Sequence, residues 1–272
     1  SLLNIPIAHI HGGELTYGSI DDKFRHAITK ASTIHFACTE TYRKRIIQMG
    51  EQKKNVYNFV ALAVERVKKI KNISLSELNN IFGLNLNNGY ILVTIHSETN
   101  AKQNTSKFMK PIITALESFV DLPLIITYAN ADHGGNYINS LLKNFCERNP
   151  TRSVIKKSLG FDLYSNVMKR SKLVLGNSSS GIIEAPILGV PTINIGTRQK
   201  GRMLNKSIYN VDSNTKQILV LIKKILSKKH LPTTHPYGKG HTAIKIYNKL
   251  EIFLAKKQNS SEKKFLDLDF NI

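Results

Sequence analysis

Short apolar, β-branched runs alternate along the chain with longer stretches in which apolar residues recur every three or four positions. The runs at 5–10, 34–37, 56–60, 90–95, 124–128, 173–175 and 192–195 read as buried parallel strands, because a strand covered on both faces loses the in–out alternation of a half-exposed sheet. Stretches at 21–32, 41–49, 74–82, 105–120, 137–148, 161–170 and 181–188 read as the crossover helices between them. The pattern predicts an α/β protein. Ser19, with Asp22 three residues on, is expected to cap the helix at 21 as a reciprocal box. The charged segment 61–73 precedes a fresh helix start at Ser74, and the domain boundary is placed there. Near the end, 235–238 reads as a turn and 243–256 as a helix, while 258–272 has no assignable element. No internal repeat is visible.

Composition narrows the class. With 272 residues and 41% hydrophobic content, the chain buries one large core or two modest ones. No apolar run approaches the roughly 20 residues that cross a bilayer, and no charged-then-apolar leader precedes the first strand. A soluble, cytoplasmic protein is expected, with no membrane partner. Only Cys38 and Cys146 are present, far apart and in unrelated contexts, so reduced thiols are expected. The net charge of +20 raises the question of nucleic acid, but the lysines fall in scattered pairs without interleaved aromatics. No nucleic-acid partner is expected. Ser1 to Leu3 lead directly into an apolar segment, so the chain is expected to begin in mid-protein.

The polar chemistry gathers at strand ends. The run ending at Leu175 passes into Gly176-Asn177-Ser178-Ser179-Ser180-Gly181, and then Ile182-Ile183-Glu184-Ala185-Pro186. Backbone N–H groups and hydroxyls at the positive end of a helix dipole stabilise a phosphate or diphosphate. Three hydroxyls in a row exceed what an N-cap requires. Glu184, one turn on, is placed to accept from both hydroxyls of a ribose.

Four other groups follow strand ends. His9-Ile10-His11-Gly12-Gly13-Glu14, with Asp21-Asp22 and Arg25-His26 after it, sets imidazoles beside carboxylates, the pairing that acid–base work uses. The plain alternative makes Glu14 a loop residue, Asp22 a cap and Asp21 a partner of Arg25. His96-Ser97-Glu98 is either structural or catalytic. In 128–135, His133 and Asp132 lack a further ligand at metal spacing, so no metal is expected. Gly196-Thr197-Arg198-Gln199-Lys200-Gly201-Arg202 places three cations between glycines, which suits a diphosphate or a basic surface loop.

HIHGGE at 9–14, IDD-x-x-RHAITK at 20–30, TE-x-YRKR-x-IQMGE at 39–51, His96, GNSSSGIIEAP at 176–186 and GTRQKGR at 196–202 stand in this order over nearly the whole chain. The combination resembles the hydrolysing UDP-N-acetylglucosamine 2-epimerases, which initiate sialic acid synthesis. Close bacterial relatives of that family act on a UDP-diacetamido-trideoxyhexose for legionaminic acid. The resemblance implies a GT-B-like fold of two Rossmann-like parallel-sheet domains, the first incomplete, with the active site in the cleft between them. It assigns 1–61 to a remnant of the N-terminal domain, 62–242 to the UDP-binding domain and 243–272 to a helix crossing back and a tail.

The resemblance also implies the chemistry. UDP leaves across C1 and C2 to give a glycal, and water then adds to yield the 2-epimeric free sugar, without cofactor or metal. His96 matches the family's cleft histidine and Asp21 the first of its acidic pair, while the base on the first loop is His11 or Glu14. Ser178, Ser179 and Arg198 match diphosphate contacts, Glu184 the ribose contact, and Asn130 and Phe161 the uridine side. The partner implied is a UDP-sugar, with a homo-oligomer expected of the complete protein. The chain departs from the family at Val60 and Ala63, where glycines are usual. Because the family begins with further strands that carry an aspartate and a phosphate-side arginine, this chain alone is expected to release no UDP and to associate through strand 5–10. The rival readings are a GT-B glycosyltransferase and a noncatalytic UDP-sugar-binding remnant.

Overall fold

The computed structural model describes residues 5–17, 19–98, 104–228, 235–238, 240–255 and 263–268. The described chain forms two compact α/β units. One comprises 1–16, 20–68 and 236–272, and the other 17–19 and 69–235, so the units part at Lys68 and Lys69, seven residues beyond the boundary read from sequence.

Unit 1 contains β1 (Ala8–Ile10), α1 (Asp21–Ala31), β2 (Ile34–Ala37), α2 (Glu40–Gln48), β3 (Val56–Asn58), α3 (Leu62–Lys68) and, after the chain returns, α10 (Thr242–Leu254). The three strands are parallel in the order β1-β2-β3. Ile34, Phe36 and Ile246 are buried together, and Tyr57, Phe59, Leu62, Leu250 and Phe253 pack against them. The run expected at 56–60 stops at Asn58, because Val60 turns into the left-handed region at φ 63. That conformation disfavours a β-branched side chain and suits the glycine usual there. The expected Ser19–Asp22 capping box does not form: Ile20 holds the cap position without a side-chain bond, and Asp22 Oδ1 accepts from the Thr16 amide at 2.6 Å instead. A reciprocal box forms at Ser74 with Glu77.

The residues 263–268 bind unit 1. Lys263 Nζ donates to the carbonyls of Lys30 and Ser32, each at 2.8 Å, and meets Glu51 at 2.7 Å. It thus satisfies carbonyls that the end of α1 leaves open. Leu266 donates to the Gly50 carbonyl at 2.8 Å and Phe265 lies against Gly50. The helix expected to reach 256 ends at Leu254 with Ala255 as its C-cap, and the rest of the tail lies outside the described residues.

Unit 2 contains α4 (Leu75–Phe82), β4 (Ile91–Thr94), α5 (Thr105–Ser118), β5 (Leu124–Thr127), α6 (Gly135–Arg148), β6 (Ser153–Lys156), α7 (Gly160–Arg170), β7 (Leu173–Gly176), α8 (Ser179–Ile187), β8 (Thr192–Ile195), β9 (Ile208–Val211) and α9 (Thr215–Leu226). Its six parallel strands run β6-β5-β4-β7-β8-β9, the doubly wound Rossmann order. Ile91, Val93 and Ile95 face a core that includes residues of α5, α6 and α9. Tyr90 and Leu92 face the opposite core with residues of α4, α7 and α8. Both faces are covered, which is why the central strands read as unbroken apolar runs. The order reverses between β4 and β7, and ligands of such sheets bind beyond the strand ends at that switch point.

Candidate active site

In unit 2 the loops after β4 and β7 diverge at the switch point, and Asn177 ties them together. Its Oδ1 accepts from the His96 amide at 2.7 Å and its Nδ2 donates to the His96 carbonyl at 2.8 Å. Gly176 precedes it at φ 146, and a Cβ there would stand 1.9 Å from the Thr94 carbonyl oxygen. Only glycine lets β7 approach β4 so closely. Ser178 caps α8, accepting from the Ser180 amide at 3.4 Å. The three consecutive hydroxyls therefore stand at the start of α8, where free N–H groups and the dipole favour an anion.

The His96 ring is held by the loop after the adjacent strand β5. Its Nδ1 lies 3.0 Å from the Asn130 amide, so it accepts there and is unprotonated. Burial, with the Arg198 charge, pushes the ring down to about 4 against the opposite pull of Asp132. His96 is therefore neutral near pH 7 with its proton on Nε2, a hydrogen-bond donor rather than a base. Asn130 also donates through Nδ2 to Asp132 Oδ2 at 2.6 Å, and Arg198 Nη2 lies 3.7 Å from the same carboxylate. Glu98 anchors the basic loop, accepting from the Thr197 and Arg198 amides, the latter at 2.9 Å. Gln199 Nε2 donates to the Asn177 carbonyl at 2.7 Å. The four strand-end loops are thus stitched into one rigid face.

A cavity of about 240 Å³ opens on this face, lined by Thr94, His96, Thr127, Tyr128, Lys157, Ser158, Leu159, Gly160, Tyr164, Ser178 and Ser180. Of the residues expected from sequence it takes in His96 and Ser178. Ser179, Glu184, Asn130, Phe161 and Arg198 lie on the surrounding elements without lining it. Glu184 sits on α8, near enough to Tyr164 for its charge to act on the phenol. Thr94, Thr127 and Tyr164 escape sequence reading because threonine is an ordinary strand residue and Tyr164 occupies an ordinary amphipathic helix position. Hydroxyls at the last positions of two adjacent strands are the signal that points to them.

In unit 1 the loop after β1 presents His11 in the left-handed region, φ 71. Its Nδ1 lies 3.7 Å from Oε2 of Glu14, a carboxylate only 2% exposed. The Tyr42 hydroxyl donates to the other Glu14 oxygen at 3.4 Å, and Arg25 Nη1 holds the Glu14 carbonyl at 3.1 Å. His11 and Glu14 are thus brought together, with the imidazole the more exposed of the two. Asp21 is exposed in the first turn of α1. Arg25 pairs with Asp22 at 3.3 Å, where the plain alternative expected Asp21 as its partner. His9 is a support: Thr29 spends its proton on the Arg25 carbonyl, so His9 Nδ1 donates to Thr29 Oγ1 at 3.1 Å. Among the described residues, no group of three or more His, Cys, Asp or Glu is arranged to hold a metal, and no helix is long and apolar enough to cross a membrane.

The family model for UDP-N-acetylglucosamine 2-epimerase matches residues 1–251. The chain is 39% identical over 227 residues to the GDP/UDP-N,N'-diacetylbacillosamine 2-epimerase (hydrolyzing) of Campylobacter jejuni, covering 84% of this chain and 59% of that protein. It is 35% identical to the polysialic acid biosynthesis protein P7 of Escherichia coli, covering 98% of this chain and 69% of that one. The chain therefore spans about six to seven tenths of the length of these relatives. The crystal structure of UDP-GlcNAc 2-epimerase from Neisseria meningitidis bound to UDP-GlcNAc superposes with a TM-score of 0.74 at 18% identity, over 92% of this chain and 71% of that one, and shares its GT-B-like fold. On these matches, the chain belongs to the UDP-N-acetylglucosamine 2-epimerase family.

Proposed function

We propose that the protein carrying this chain is a hydrolysing UDP-sugar 2-epimerase. The observation that carries this reading is the meeting of three serine hydroxyls, the start of α8 and the largely buried Arg198 around the switch point of a Rossmann sheet. Ser178, Ser179 and Arg198 take the diphosphate, Glu184 the ribose hydroxyls, and Asn130 and Phe161 the uridine side. The Campylobacter jejuni relative is named for a diacetylbacillosamine substrate. That favours a UDP-diacetamido sugar over UDP-N-acetylglucosamine itself. The setting proposed is cytoplasmic, where Cys38 and Cys146, both free and buried, stay reduced. The working form proposed is a homo-oligomer, with no cofactor and no nucleic-acid partner.

Proton movement is divided between residues of the two units. His11 takes the proton from C2 while Glu14, buried beside it, orients the ring and stabilises the imidazolium. Asp21 contributes the first acid of the family's pair. As the C2–H electrons form the C1=C2 bond, the C1–O bond breaks and UDP departs with that electron pair. His96 Nε2–H donates to the departing phosphate, where a neutral donor adds no counter-charge to be repelled by Arg198. Water then gives its oxygen to C1 and a proton returns to C2 from the opposite face. Calorimetry with UDP tests the nucleotide half: Glu184→Ala is expected to weaken binding by about 1–3 kcal/mol, as losing a charged acceptor does. Unchanged affinity contradicts the ribose role.

A further inference from the structure

We propose that Tyr164 is a positioning residue that sets the direction of a chain of five hydroxyls, so that Ser178 presents its O–H to a phosphate oxygen. This inference deepens the proposed function and rests on that reading. The chain runs from β5 through β4 and α7 to α8. Thr127 Oγ1 and Thr94 Oγ1 are 2.8 Å apart, Thr94 Oγ1 and the Tyr164 hydroxyl 3.2 Å, and the Tyr164 hydroxyl and Ser180 Oγ 2.7 Å. Ser180 Oγ donates to Ser178 Oγ at 2.9 Å.

Each hydroxyl has one proton, and that fixes the order. Ser180 gives its proton to Ser178, so Tyr164 is the donor to Ser180. Thr94 is then the donor to Tyr164, and Thr127 the donor to Thr94. Ser178 accepts twice, from the Ser180 hydroxyl and the Ser180 amide, and its own proton has only the nearby Tyr164 hydroxyl, already held by Thr94 and Ser180, to compete with a phosphate oxygen that enters the cavity. Every dipole in the chain points the same way, toward the site of negative charge. Such chains polarise cooperatively when an anion sits at the accepting end. Burial raises the Tyr164 phenol above its ordinary value, so it remains an O–H across the working range. The fully buried Tyr90 of the same unit behaves differently: its hydroxyl donates to the Val167 carbonyl at 2.8 Å, a purely structural bond. Phenylalanine would fill the volume at 164. Only the hydroxyl joins the threonine pair to the serine pair.

The test is calorimetric titration of the chain with UDP and with uridine, which lacks the phosphates. Tyr164→Phe is expected to weaken UDP roughly tenfold, the scale of a lost hydrogen bond to a charged group, and to leave uridine unchanged. Ser180→Ala is expected to give a similar selective loss, and the double variant less than the product of the two, because both break one chain. Unchanged UDP affinity in Tyr164→Phe overturns the proposal, as does an equal loss for uridine or a fully multiplicative double variant. A parent chain that binds no UDP overturns the nucleotide reading itself and this inference with it.

Discussion

His96 owes its chemistry to its neighbours rather than to its type. The Asn130 amide fixes the tautomer, and burial beside Arg198 holds the ring neutral. His9 is held in the same state, pushed down to about 4 by burial and then by His35 and Arg25. Both rings therefore bind fewer protons in the folded chain than at the ordinary histidine value of about 6.5 in the unfolded one. The stability each contributes is complete above that value and is lost as pH falls toward 4, where the unfolded chain takes up protons that the folded one refuses. Thermal unfolding is expected to shift to lower temperature between pH 7 and pH 5, and less so in His9→Gln. A midpoint that holds steady or rises on acidification contradicts the buried neutral state. Roles of this kind are not visible in sequence, where His9 and His11 share one motif and His96 reads as either structural or catalytic.

At the scale of elements, what was legible follows burial. The central strands β4, β5, β7 and β8 are covered on both faces and appear as apolar runs. The two strands missed, β6 and β9, are the edges of the six-stranded sheet, half-exposed at Ile155 and Tyr209, so their runs are short and broken by polar positions. The helix α9 was missed because Ile218 to Ile222 form an unbroken apolar run, which has no period to separate helix from strand. The tail gave no signal because its attachment rests on single residues. Lys263 joins Lys30 in neutralising Glu51, a carboxylate 3% exposed that also faces His35 at 3.1 Å. Burial alone would raise the Glu51 carboxyl, and the bonds from Lys263 and Lys30 outweigh it and hold it below its usual range. Lys263→Met removes one of the two ammonium groups that hold that carboxylate and opens the carbonyls at the end of α1. It is expected to cost about 2–3 kcal/mol. Urea unfolding with an unchanged midpoint would show that the 263–268 segment contributes nothing to unit 1.

For the whole molecule, the motifs at 9–14, 96, 176–186 and 196–202 fall where an α/β sheet gathers its chemistry, at the carboxyl ends of strands, while those at 20–30 and 39–51 lie on α1 and α2. Their division is also chemical: the imidazole–carboxylate pair belongs to unit 1, and the hydroxyl loop, basic loop and neutral histidine belong to unit 2. A charge of +20 has a local use in that division, since Arg198 stands where a diphosphate is proposed to bind, while the paired lysines are scattered along the sequence. The central claim is the removal and return of the C2 proton, and it is tested most directly by running the complete protein on a UDP-diacetamido sugar in deuterium oxide with NMR detection. The result predicted is free sugar of inverted C2 configuration, carrying solvent deuterium at C2 and formed in equal amount to UDP. Sugar released with its C2 proton and configuration retained, or transferred to an acceptor, would contradict it.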